Sequence, residues 1–432
     1  MSSRRTLSPT QTATRTRRYL ARRVAGPAAV IGVLGPGLIA ASAGNDAGGI
    51  ATYASVGASY GYSLLWVLAV ITVSLAIIQE MAARMGVVTG KGFADLVREN
   101  LGLRTTAFVM LVLVAANGGL VVSEFAGIGA AAELLGISRY YAVPVMALLV
   151  WWLITRGSYR RVERVFLLMT LIFFAYPVAA FLAGPDWGEV GRSLVTPTFS
   201  LEGRYLLLMI ALIGTTITPY MQIYAQSTMA ERGATFGLSL VKLDAYSGAL
   251  FSNVVAGFII VATGATLHRM GVEVQTAQDA ARALEPVAGR LASAVFAVGL
   301  LGASVLAAAV LPLSTAYTVC EAFGFERGVN QSFRDAPVFH GLFTALLAVG
   351  VLVALVPGLN VIQLLVWTQV INGLLLPVVL ISILRLVNNP EVMGEHTNGL
   401  VYNVLAWATT GLVVLLSCAY LVITLLGIFG VS

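Results

Sequence analysis

Long apolar runs separated by short polar stretches dominate the chain, near residues 27–57, 63–83, 105–131, 140–156, 163–183, 204–230, 244–266, 291–319, 338–356, 360–387 and 400–428. Each is close to the ~20 residues that an α-helix needs to cross the hydrocarbon core of a bilayer. None shows the strict alternation of a membrane β-barrel strand. The pattern predicts an all-α polytopic membrane protein with 11 transmembrane helices.

Two of these runs are interrupted. Within the first, residues 32–51 hold six glycines, Pro36 and the carboxylate of Asp46. The sixth carries Thr215, Thr216 and Thr218 just ahead of Pro219. Glycine and proline break a helix, and proline also disfavours helix at the residue before it. Broken helix at membrane depth is tolerated only where protein buries it or a cavity receives it. An acid at the bilayer centre costs about 2.5–3.5 kcal/mol on insertion scales. An acid beside freed carbonyls reads as a cation site. Breaks in the first and sixth helices occupy corresponding positions in two halves, which predicts an inverted 5+5 repeat plus one helix, with a transport site at the midplane.

Composition agrees. The chain is 58% hydrophobic and only 11% charged, far below the ~25% charged residues of soluble domains. Placing the N-terminus in the cytoplasm puts 20 of the 26 basic residues on that side. The positive-inside rule therefore predicts a multi-pass protein of the cell (inner or plasma) membrane, N-terminus cytoplasmic and C-terminus outside. The net charge of +6 is then topology and contact with anionic lipid, and no nucleic-acid partner is expected. Residues 1–23 hold seven arginines and no acid and are expected to be a disordered basic cytoplasmic tail, with residues 24–432 forming one transport domain. Cys320 and Cys418 fall within or at the ends of spans, so neither a disulfide framework nor a zinc site is expected. No cofactor is expected.

At the interrupted helices the chain resembles the Nramp family of divalent metal transporters. Gly35-Pro36-Gly37 precedes Asp46-Ala47-Gly48-Gly49, similar to the family's Asp-Pro-Gly-Asn with two departures. Ala83-Arg84-Met85-Gly86-Val87-Val88-Thr89-Gly90-Lys91 is close to the family's Ala-Arg-x-Gly-x-Val-Thr-Gly-Lys signature, and Met393-Gly394-Glu395 also fits. The family's Met-Pro-His becomes Thr218-Pro219-Tyr220. The resemblance implies a LeuT-like fold and a metal site made of Asp46, Gly49 (Asn in the family), Thr218 (Met in the family) and the carbonyls of Ala43 and Thr215.

The departures carry information. A thioether suits transition metals, whereas hydroxyl, carbonyl, carboxylate and water suit Mg²⁺, Ca²⁺ and Mn²⁺. Loss of the Met and Asn side chains is most like the Nramp-related magnesium transporters and leaves room for the water that Mg²⁺ gives up reluctantly. The family's Thr-Asp-x-x-Glu on the third helix reads Ser123-Glu124-Phe125-Ala126-Gly127, without the second acid. His268, His340 and His396 are the only histidines and fall in loops or at span ends. These features predict uptake of Mn²⁺ and Mg²⁺ by alternating access without proton coupling, with Glu124 as the one nearby titratable group. Asn45, Tyr220, Gln222 and Gln226 are candidates for holding the metal's waters.

Blander readings stand beside these. Asp46 and Asn45 could cap the broken helix, Thr218 could bond back to its own helix, and Glu124 could be a satisfied buried acid. Glu80 and Arg84 have the spacing of an i,i+4 ion pair, and Asp244 that of a cap opening the seventh helix. Competing functions are a proton-coupled Mn²⁺/Fe²⁺ importer, a sodium-coupled amino-acid transporter and a non-transporting signalling module. An enzyme is not expected.

Overall fold

The computed structural model describes residues 36–156, 175–232, 237–282, 289 and 292–428. The basic head, the start of the first span, and most of the fifth span with Arg160, Arg161 and Arg164 lie outside the described residues. Every regular element among the described residues is helical. In chain order they are α1 (Pro36–Ala43), α2 (Ala47–Tyr60), α3 (Leu65–Thr89), α4 (Phe93–Leu101), α5 (Leu103–Leu134), α6 (Arg139–Arg156), α7 (Ala175–Leu182) and α8 (Trp187–Val195). There follow α9 (Gly203–Thr216), α10 (Pro219–Arg232), α11 (Leu238–Thr263), α12 (Ala277–Arg282), α13 (Ala292–Phe323), α14 (Pro337–Ala354), α15 (Val361–Val387), α16 (Pro390–Met393) and α17 (Leu400–Ile428).

Eight helical segments among the described residues are long and apolar enough to cross a membrane, one of them being α9 and α10 taken together. The broken α1/α2 pair, α6 with an arginine at each end, and α7 fall within the first, fourth and fifth predicted runs. Both expected interruptions are present: α1 stops at Ala43 and α2 starts at Ala47, while α9 stops at Thr216 and α10 starts at Pro219. The chain is a polytopic helical membrane protein.

Large apolar side chains such as Leu111, Leu148, Leu352 and Leu415 are exposed on the outside of the bundle, as expected where lipid is the solvent. Inside, small residues let helices approach closely. A Cβ at Gly214 would lie 2.2 Å from the Gln369 carbonyl oxygen, and one at Gly373 would lie 2.6 Å from that of Ile210. Only glycine at both positions allows α9 and α15 to cross there. This crossing holds the first half of the broken sixth helix against α15, one turn from its interruption.

One expected element differs. Asp244 does not open the seventh helix, because α11 begins six residues earlier, behind Gly237 as its cap. The run Leu238-Ser239-Leu240-Val241 already has helical apolar spacing, so the helix starts before the hydrophobic stretch becomes continuous.

Candidate cation site

The break in the first helix is a turn at Gly44–Asp46 from which α2 starts with Asp46 as its N-cap. The first amides of any helix lack intrahelical partners and carry the positive end of its dipole. Two carboxylates answer them. Asp46 Oδ1 accepts from Gly49 N at 2.5 Å, and Glu124 Oε2, from the middle of α5, accepts from Ala47 N at 3.1 Å. Both residues are fully buried. Ser123 Oγ has the Leu120 carbonyl at 2.7 Å and Glu124 Oε1 at 3.2 Å, with one proton to share between them. Among the described residues neither acid forms an ion pair. The cap reading of Asp46 is thus correct as geometry and leaves its charge uncompensated.

Gln369, on α15, also holds Asp46. Its Nε2 donates at 3.1 Å to Oδ1 and 3.3 Å to Oδ2. A Cβ at Gly48 would fall 2.2 Å from that nitrogen, so a glycine there is what admits the amide. The sequence reading did not single out Gln369. Its signal is an amide pair three residues apart, Gln369 and Asn372, in an otherwise apolar span. Asn372 Nδ2 in turn donates to the Gly214 carbonyl at 2.8 Å.

The two breaks are joined directly. Tyr220 OH donates to the Ala43 carbonyl at 2.7 Å, and Thr215 Oγ1 donates to the Gly44 carbonyl at 3.3 Å. Around Gly49 three oxygens converge: a Cβ there would lie 2.6 Å from Gly44 O, 2.9 Å from Thr215 Oγ1 and 3.2 Å from Asp46 Oδ1. Ala43, Asp46, Gly49, Thr215, Tyr220 and Glu124 are therefore one connected cluster. Thr218 lies in the second break, its hydroxyl buried without a hydrogen-bond partner. One turn on, both polar atoms of the buried Gln222 also lack partners.

Two candidates sit further out. Asn45 turns toward α11, where its Nδ2 donates to the Ser252 carbonyl at 3.1 Å. Gln226 lies midway along α10, donating to the Lys91 carbonyl at 3.3 Å; eight residues of helix, about 12 Å, separate it from Thr218. The sequence reading also passed over Met221. Its sulfur lies 2.7 Å from where a Cβ on Gly44 would be, so a thioether packs on the first break although position 218 has none.

The third-helix departure has a steric counterpart. A Cβ at Gly127 would lie 2.4 Å from Ala47 Cβ and 2.7 Å from Ser304 Oγ, so no acid side chain fits there. The described histidines cap or tie helix ends: His268 Nδ1 pairs with the Ala58 carbonyl and His340 Nε2 with that of Gln331.

Comparison with known proteins bears on this site. A family model described as natural resistance-associated macrophage protein-like (Nramp) matches residues 37–424. The chain is 28% identical over 428 residues to a divalent metal cation transporter MntH of Deinococcus radiodurans, covering 94% of this chain and 93% of that protein. It is 26% identical over 411 residues to the MntH of Clostridium acetobutylicum, covering 91% of each. Its fold is similar to that of a manganese transporter of Eremococcus coleocola, with TM-score 0.75, 19% identity, and 93% and 88% of the two chains covered. A nucleobase-cation-symport-1 family transporter, Mhp1, shares the fold at TM-score 0.59 and 13% identity, covering 90% of each chain.

Proposed function

The chain belongs to the Nramp family, and from that premise we propose that it is a secondary transporter carrying divalent metal cations, Mn²⁺ and also Mg²⁺, into the cell by alternating access without proton coupling. The observation that carries the reading is the convergence of Gly44 O, Thr215 Oγ1 and Asp46 Oδ1 on the space beside Gly49. A carbonyl, a hydroxyl and a carboxylate are a hard donor set, suited to Mg²⁺ and Mn²⁺. The unpartnered polar atoms of Thr218 and Gln222 supply places for retained water. Asp46 is the one charged ligand, and Glu124 adds a second negative charge across the start of α2.

The lack of proton coupling rests on the filled space at Gly127 and on histidines confined to helix ends. No proton is needed for accumulation: two charges moving inward through 100 mV gain about 4.6 kcal/mol, about a thousandfold or more in concentration. The test is flux into liposomes holding the purified protein, with Mn²⁺, Mg²⁺ and lumenal pH followed together. Uptake should rise with a negative-inside potential, Mg²⁺ at millimolar concentration should compete with Mn²⁺, and lumenal pH should stay level. Metal-dependent acidification lost in Glu124→Gln would overturn the uncoupled reading.

Met221 favours a second reading, in which the site keeps a soft donor. Met221→Leu distinguishes the two. An oxygen-only site keeps its Cd²⁺ affinity in that variant, whereas a site that uses the thioether loses Cd²⁺ more than Mg²⁺.

A further inference from the structure

The connection from α11 to α13 crosses the end of the bundle where α13 begins, opposite Glu321. Two clefts open there on either side of it. One, of about 640 Å³, is lined by Glu133, Arg139, Asn360 and residues 275–278. The other, of about 260 Å³, is lined by Ser55, Arg204, Gln363 and residues 274–275. A residual space of about 10 Å³ shares Ala130, Ala277 and Ile362 with the larger cleft and reaches Ala47. Ala47 follows Asp46, and its amide is the one that Glu124 holds. Phe296, Leu300 and Leu365 complete an apolar wall. Such a space is at the lower limit for a single water, about 10–15 Å³. An octahedral ion with about six waters needs about 180 Å³, at about 30 Å³ per water. The way from water to the cation site is shut at this end, and α12 helps to shut it, since Ala277 and Ala280 both line the space.

The way this segment is held suits it to move as a unit. Its first amides are answered from within: Asp279 Oδ2 accepts from Gln275 N at 3.3 Å and from Thr276 N at 2.9 Å, and Asp279 N donates to Thr276 Oγ1 at 3.2 Å. This is a reciprocal cap, and lifting the segment leaves none of these groups unpaired. Its inner face is Ala280 and Ala281, both buried, which offer little area and no interlocking side chain. A polar tie fixes it to the bundle. Arg204 Nη1 donates to Glu273 Oε1 at 2.7 Å and Nη2 to Ser59 Oγ at 3.3 Å, while Gln275 Nε2 donates to Glu273 Oε2 at 3.1 Å. Arg204 lies at the start of α9 and Ser59 at the end of α2. These are the halves of the two broken helices on this side of the breaks, so one guanidinium joins the segment to both. The pair is 46% and 48% exposed, and exposed pairs are weak. A weak tie suits a contact made and broken in every cycle.

We propose that residues 273–282 are a strap that closes this mouth of the carrier, latched by Glu273 to Arg204, and that it lifts to admit the cation to Asp46. The strap rests on the alternating-access reading above, and the test separates the two.

Its movement is read as the rate at which a water-soluble maleimide alkylates the Ala280→Cys variant of the full-length protein in detergent. Mass spectrometry locates the label, because Cys418 is also exposed. Ala51→Cys, on the α2 wall of the same space, serves if the first variant does not fold. Arg204→Glu and Glu273→Arg should each raise the rate about fivefold, the upper worth of an exposed pair, and the two together should restore it. In liposomes, a bifunctional methanethiosulfonate that cross-links the double variant Arg204→Cys/Glu273→Cys should stop Mn²⁺ uptake, and dithiothreitol should return it. Alkylation indifferent to the single reversals, or uptake unchanged by the cross-link, overturns the strap. Alkylation that follows the latch in a protein without Mn²⁺ uptake supports the strap and overturns the transport reading instead.

Discussion

Asp46 and Glu124 at the start of α2 are as deeply buried as Glu80 and Glu321 near the basic face of the bundle, yet their surroundings differ in kind. Glu80 pairs with Arg84 at 3.0 Å, and Arg84 continues to the His396 carbonyl and, at 2.6 Å, to Asn398 Oδ1. Glu321 accepts from Ser227 Oγ at 2.6 Å and Ala94 N at 3.2 Å, with Arg327 Nε at 3.6 Å. Arg327 also pairs with Asp95 at 2.5 Å. At the face, every one of these acids has a cation supplied by the chain. At the centre the acids have only amides and a hydroxyl, and among the described residues no cation of the chain pairs with them. Burial is the same at the two levels; the resident cation is what differs.

Substitutions at the two levels should separate accordingly. The largest effect is expected from Asp46→Asn, which keeps a good N-cap residue but removes the central charge. Mn²⁺ uptake into liposomes should be abolished while the thermal midpoint in detergent stays near that of the natural protein. Normal uptake would mean that the central acids are structural too. Next comes Gly49→Ala, whose Cβ would meet the Gly44 carbonyl at 2.6 Å. Overpacking of this kind costs about 1–3 kcal/mol, and by filling the space where three oxygens converge it should also stop uptake. A variant that transports normally would remove that space from the cation path.

At the face the order reverses. Glu321→Gln keeps the shape but leaves the Arg327 side chain with less charge to face, and should lower stability by about 1–3 kcal/mol while uptake changes only a few-fold. Loss of uptake with unchanged stability would erase the contrast between the two levels. The smallest effect belongs to a third setting, the exposed pair Arg204–Glu273 at 2.7 Å. The guanidinium holds the Glu273 carboxyl below its usual range. A depressed folded-state value means that the contribution is present above the unfolded value, about 4.3, and fades as pH falls through the folded one. Arg204→Gln should shift the thermal midpoint by at most about a degree at neutral pH, since solvent screens such pairs, and the two proteins should converge in acid.

What was legible in the sequence follows from which signals are local. The broken first helix announces itself because an acid and a glycine run inside an apolar span are costly unless they have a purpose, and the break at Thr218-Pro219 because proline cannot be hidden in a helix. The Glu80–Arg84 pair could be read from spacing along one helix. Gln369 offered only a faint signal, one of two amides in an apolar span, and its partner Asp46, 323 residues away, could not be read from spacing at all. Met221 was invisible, being an apolar side chain in an apolar stretch. Gly127 illustrates a third case: the missing acid could be seen, but the reason that none fits, the contact with Ala47 and Ser304, exists only in the fold.

The hydrogen bond from Tyr220 to the Ala43 carbonyl has a consequence for turnover. A carbonyl oxygen has two lone pairs, so the phenol takes one and leaves the other open. Were Ala43 O a ligand, as the family resemblance implies, the cation would share that oxygen with the Tyr220 hydroxyl, and a carbonyl already drawn toward a donor would hold the ion less tightly. For a carrier that is an advantage, because a site that held its ion with every oxygen uncontested would load readily and unload slowly.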